Sequence, residues 1–174
     1  SVAIAIATAG IIVGAVASTG LSNNLIIIVE AIAGDSIVTL LLLTALLCII
    51  LGMGLPTTAN YLVVAALMAQ VVVEVGSAAG YVFPLIAVHL YVFYYGLMAD
   101  VTPPVGLASY AAAAISKADP IQTGIQAFWY SLRTGILPLV FIFNNELLLI
   151  GIESIWHGLL VIVTSLIAIL VFTA

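Results

Sequence analysis

The chain is nearly free of charge. Lysine and arginine together number 2, aspartate and glutamate 7, and only 5% of the 174 residues are charged; a soluble domain averages roughly 25%. Such a chain cannot cover a water-facing surface. The lack of a basic patch excludes a nucleic-acid partner. A single cysteine, Cys48, excludes an intramolecular disulfide and a cysteine-built zinc cluster. His89 and His157 have no His-Glu-x-x-His pattern around them, which argues against a zinc-dependent intramembrane enzyme, and no catalytic residue or cofactor is expected. No charged leader precedes the first apolar run. The start at Ser1 reads as a piece of a longer protein.

What remains is apolar, 66% of residues, and comes in runs. A membrane helix needs about 20 such residues, so the length suits roughly five or six membrane elements and an all-α, polytopic fold. Val2 to Ser18 is small-residue rich and reads as a tightly packed helix. Leu21 to Gly34 reads as interfacial, or as that helix continued past a kink. Asp35 or Ser36 caps a short apolar helix to Leu51, and Tyr61 to Val75 is a second short run. Tyr81 to Ala99 is long enough to span. Asp119-Pro120 is an N-cap followed by a first-turn proline and opens a helix that reaches Phe143. Ser154 to Phe172 is a last span, and Trp129 and Trp156 read as interface anchors. Lys117 and Arg133 flank one connection, which the positive-inside rule places in the cytoplasm.

Two Gly/Pro-rich interruptions stand out. The first is Gly52-Met53-Gly54-Leu55-Pro56-Thr57-Thr58-Ala59-Asn60, the second Asp100-Val101-Thr102-Pro103-Pro104-Val105-Gly106. Irregular backbone at membrane depth survives only where protein buries it or a solvated cavity uses it. Two short apolar arms on either side of the first suggest a re-entrant hairpin, residues 35–75. The second interrupts a discontinuous helix, residues 81–116. Residues 120–143 and 154–173 are then terminal helices.

The ends of broken helices carry partial charge. A C-terminus offers unpaired carbonyls and suits a cation such as Na⁺; an N-terminus suits a carboxylate. The carbonyls of Gly52, Met53 and Gly54, and the segment Asp100, Thr102, Pro103 and Gly106, are therefore candidates for holding Na⁺. Pro56, Thr57, Thr58 and Asn60 are candidates for facing a substrate. Thr102-Pro103 has the form of an N-cap and first helical residue, and Pro104 keeps Pro103 out of the helical region. A scaffold subunit, in which both interruptions only pack, and a proton-coupled transporter, working through Asp100, are the competing readings.

These two segments resemble the permease of tripartite ATP-independent periplasmic (TRAP) transporters. The first extends the likeness to Tyr61; the second runs from His89 to Tyr110 through Tyr94-Tyr95-Gly96-Leu97-Met98-Ala99-Asp100. The likeness continues to Asn144-Asn145-Glu146 and is nearest to the TAXI branch, whose small and large membrane subunits are fused. It implies a bacterial or archaeal cytoplasmic membrane protein of the ion-transporter superfamily, and within it the second of two inverted repeats. It also implies an elevator mechanism, Na⁺-coupled uptake of organic anions such as carboxylates, and a periplasmic solute-binding protein as partner. The rest of the permease and its small-subunit region would complete the site within the lipid bilayer. Dicarboxylate members often carry an acidic residue near the hairpin tip, where this chain has Pro56-Thr57-Thr58.

Overall fold

The computed structural model describes residues 7, 10, 11, 14, 15, 18–34, 36–53 and 57–173. Most of the run from Val2 to Ser18 lies outside these residues, as do Asp35, Gly54, Leu55 and Pro56. Among the described residues the fold is helical, with no strand. Helix α1 is Leu21–Ala33 and α2 is Ile37–Gly52. Helix α3, Thr57–Val64, runs through a π-helical turn at Ala65–Ala69 into α4, Gln70–Ala78. Then come α5 at Leu85–Met98, α6 at Leu107–Ser116 and α7 at Pro120–Phe143. A 3₁₀ turn, Asn145–Leu148, leads to α8, Ile155–Thr173.

Local signals set the helix starts. Gly20, in the left-handed region at φ 64°, separates α1 from the helical residues before it. The Ser36 hydroxyl accepts from the backbone N–H of Thr39 at 3.3 Å and opens α2. Asp119 accepts from Gln122 N at 2.8 Å, with Pro120 in the first turn of α7.

Two lengths differ from the sequence reading. The second hairpin arm does not stop at Val75: residues Thr58–Ala78 form one run of 21 residues, long and apolar enough to cross a membrane. Gln70 and Glu74 do not end it, because they lie one turn apart on an exposed face and pair with each other at 2.6 Å. Helix α5 is shorter than expected, 14 residues. Tyr81 to Pro84 are non-helical, since Pro84 disfavours a helical residue before it, and the first α5 bond is Val88 N to Pro84 O at 3.1 Å. Arg133 lies inside α7, so it and Lys117 do not flank a loop.

The core forms where α2, the α3–π–α4 arm, α5 and α7 meet, around Leu40, Leu41, Met68, Val72, Val88 and Ile142. Helix α5 is central, packing on α2, α3, the π turn and α7. The outer face of α2 is apolar too: Val38, Leu42, Leu46 and Ile50, one turn apart, are each more than half exposed. Water would favour polar residues on such a face; hydrocarbon would not. Helix α8 touches the 3₁₀ turn and leaves most of its apolar side chains exposed. At about 28 Å it matches a bilayer core, and His157 Nε2 meets Glu146 Oε2 at 3.2 Å near its start.

Candidate functional site

Helix α2 ends at Gly52, where Met53 turns extended and its N–H bonds Ile50 O at 3.3 Å. Gly52 has helical backbone, so the space it leaves is what counts. A Cβ there would sit 2.4 Å from Asn60 Nδ2, 2.7 Å from Asn60 Oδ1 and 2.8 Å from the Ala99 methyl. Asn60, in the first turns of α3, is only 1% exposed. Its Nδ2 donates to Gly96 O at 2.6 Å. That bond fixes which end of the amide faces which way, because two oxygens would repel there. Asn60 Oδ1 is buried without a hydrogen-bond partner among the described residues.

So the first interruption meets the end of the helix that runs into the second. The C-terminal ends of α2 and α5 converge on Asn60, at Gly52 on one side and at Gly96 and Ala99 on the other. Both ends carry partial negative charge, and a buried amide oxygen sits between them. Thr57 opens α3, and Thr58 is exposed rather than in this crossing. Met53 is half-buried beside it.

At the second interruption α5 unwinds through tight turns. Ala99 N bonds Gly96 O, Asp100 N bonds Leu97 O, and Val101 N bonds Met98 O, at 3.1 to 3.2 Å. Thr102 does not cap a following helix. Its hydroxyl donates back to Met98 O at 2.6 Å, closing the end of α5, and α6 begins only at Leu107 with Gly106 before it. Two prolines in succession explain the delay: Pro104 keeps Pro103 non-helical and neither has an N–H to give. The Pro103–Pro104 peptide is cis.

The segment is stitched to itself. Asp100 O accepts from Ala108 N at 3.0 Å. Ser109 Oγ donates to Gly106 O at 2.8 Å, and Tyr110 OH donates to Pro104 O. Gly106 sits so close to Val101 that a Cβ would lie 3.1 Å from its carbonyl carbon. Asp100 is half-buried at the start of the segment.

Sequence reasoning missed the tyrosines that hold this frame. Tyr91, fully buried, donates to Leu41 O at 2.6 Å and ties α5 to α2. Tyr95 donates to Gly135 O at 2.7 Å and ties α5 to α7. Their alternation with Phe93 and Tyr94 reads as a packing stripe, and only the partner carbonyls reveal the second role. Tyr61 on α3 meets His89 Nδ1 at 3.0 Å, with Phe93 edge-on to the Tyr61 ring.

A family model described as tripartite ATP-independent periplasmic transporter, DctM component, matches residues 1–156. No curated protein and no solved structure matches the chain.

Proposed function

The chain belongs to the DctM component family of tripartite ATP-independent periplasmic transporters, membrane permeases, and on that premise we propose that it carries half of the site of a Na⁺-coupled importer of organic anions. The observation that supports this best is the convergence of two helix C-termini on Asn60, whose Oδ1 is buried and unpartnered. A buried acceptor between two partially negative ends is costly alone, and a cation offsets that cost. The fitting groups are oxygens, as a hard cation requires: Asn60 Oδ1, carbonyls of Gly52 and Met53, and those around Asp100 and Thr102, with the Thr102 oxygen and the turn through Pro103 and Gly106 alongside; Gly54 lies outside the described residues.

The substrate side is the N-terminal end of α3. Thr57 and Thr58 are hydroxyl residues in the first turn of α3, and a helix N-terminus with hydroxyls suits a carboxylate without an acidic side chain to repel it; Pro56 lies outside the described residues. Asn60 is too deeply buried to reach the substrate directly, so we assign it to the cation side. A periplasmic solute-binding protein would deliver the anion, and the rest of the permease would supply the other half of the site. The hairpin and the broken helix would travel together as the moving part of an elevator in the cytoplasmic membrane.

The test is uptake by the complete transporter in proteoliposomes with imposed gradients. A Na⁺ gradient should drive accumulation, and Thr102→Val should raise the Na⁺ concentration needed for half-maximal rate several-fold. Uptake driven by a proton gradient alone, and lost in Asp100→Asn, would replace Na⁺ with proton coupling. No uptake under either gradient would leave a scaffold subunit.

A further inference from the structure

We propose that α7 is a splint that fixes the angle between the two halves of the broken helix, with Gly124 and Gly135 as its positioning residues. The interruption between α5 and α6 is then a rigid part of the site and not a hinge. Helix α7 packs on both halves. At its C-terminal end it grips α5. A Cβ on Gly135 would lie 3.0 Å from Met98 Sδ, the Gly135 carbonyl accepts the Tyr95 hydroxyl at 2.7 Å, and Phe141 stands edge-on to Tyr94 with ring centres 5.8 Å apart. At its N-terminal end it grips the interruption and α6. A Cβ on Gly124 would lie 3.3 Å from both Pro103 Cγ and Ser109 Oγ.

Gly124 and Gly135 lie about three turns and about 16 Å apart, on one face of the same helix. One continuous helix therefore bridges a gap that its neighbour leaves open. Small residues at both contacts let the backbones approach, which membrane helices rely on in place of a hydrophobic drive. The interruption adds its own stitches, Asp100 O to Ala108 N and Ser109 Oγ to Gly106 O. Bending between α5 and α6 would have to break the Asp100–Ala108 bond, which alone of the two crosses the interruption, and drag Ser109 and Pro103 across Gly124. Two discrete packings of that face would be needed for a hinge, and a glycine contact this close leaves no second seat.

This inference rests on the transport reading only for its uptake measurement. The experiment is a disulfide across the splint in the complete transporter, Ser109→Cys with Gly124→Cys. The Cβ positions are 3.9 Å apart, inside the usual disulfide range of about 3.5–4.5 Å. The native Cys48 is fully buried and does not compete. Oxidation should close the bond to near completion with or without Na⁺ and substrate, and oxidised and reduced transporter should take up substrate within twofold of each other. Uptake lost on oxidation and restored by reductant would overturn the splint. So would a yield that changes with Na⁺. If the pair does not fold, Gly124→Ala decides. It crowds Pro103 and Ser109, and should raise the half-saturating Na⁺ concentration several-fold while the maximal rate and the membrane level hold; an unchanged Na⁺ dependence would overturn the positioning role. Failure of the unsubstituted transporter to use a Na⁺ gradient is a separate result: it would sink the coupling reading and leave the disulfide yield to decide the splint.

Discussion

Asn60 and Gly96 are joined by one hydrogen bond, 2.6 Å from side-chain nitrogen to main-chain oxygen, between two helices that both sit at interruptions. Gly96 O also accepts from Ala99 N at 3.2 Å, so one carbonyl serves the turn that ends α5 and the contact that holds α3 against it. This atom is one route by which movement of the hairpin arm is passed to the end of α5, beside the Tyr61–His89 contact.

Asn60→Ala should therefore loosen both. Gly96 O keeps Ala99 N as a partner, so losing this hydrogen bond costs about 0.5–1.5 kcal/mol, read as a lower thermal midpoint of the purified protein in detergent. Asn60→Asp places a charge at a site only 1% exposed, and should prevent accumulation in the membrane unless Na⁺ is high.

Gly52→Ala should be worse than a usual glycine-to-alanine change in a helix, which favours the helix. Its Cβ would stand 2.4 Å from Asn60 Nδ2 and 2.8 Å from Ala99 Cβ. Uptake should fall at least tenfold. Asn60→Gly added to it should recover part of the thermal midpoint that Gly52→Ala loses, though not the uptake, because it removes the amide clash together with the cation-side oxygen and leaves only the Ala99 contact. No recovery in the double variant would show that Gly52 is required for another reason.

Tyr91→Phe and Tyr95→Phe each remove a hydroxyl bonded to a distant carbonyl, Leu41 O and Gly135 O. Each should cost about 0.5–1.5 kcal/mol, since those helical carbonyls keep their own backbone partners. The rings are 4.8 Å apart, so the double variant should depart from the sum of the singles. Chemical denaturation of the three variants measures this.

Asp119→Ala should cost about 1 kcal/mol and speed hydrogen exchange over residues 121–123, where the cap holds Gln122 N. Asp119→Ser should keep most of the protection. Exchange unchanged in the alanine variant would mean that packing alone holds the start of α7.

What the sequence made legible was local. The caps at Ser36 and Asp119 lie within three residues of the groups they bind, and consecutive prolines at 103 and 104 forbid a helix by covalent structure. Asn60 was harder. An asparagine beside two threonines at a helix start reads as a site-lining group, and nothing local says that α5 covers that face. A small-residue signal was available in Gly52 and Gly96, since glycines at membrane helix contacts mark close crossings. Thr102 shows the same limit: Thr-Pro has the pattern of an N-cap, yet the hydroxyl turned back to Met98. The partner carbonyls of Tyr91 and Tyr95 lie 50 and 40 residues away, beyond the reach of any spacing rule.

The π turn at Ala65–Ala69 has a consequence for heredity as well as shape. A π turn accommodates about one extra residue against an α-helix, so it shifts the angular phase of everything beyond it by about 100°. In this arm both α3 and α4 pack on α2, but α3 packs most on α5, while α4 packs most on α1. A single stripe of Asn60, Val64, Leu67, Val71 and Val75 thereby addresses two different neighbours. Deleting one residue among 65–69 would straighten the helix and improve its hydrogen bonding, yet swing Asn60 away from Gly96 or the valines away from α1. The turn works as a phase coupling between the site and the body of the protein, and a length change there is more damaging than most substitutions in it.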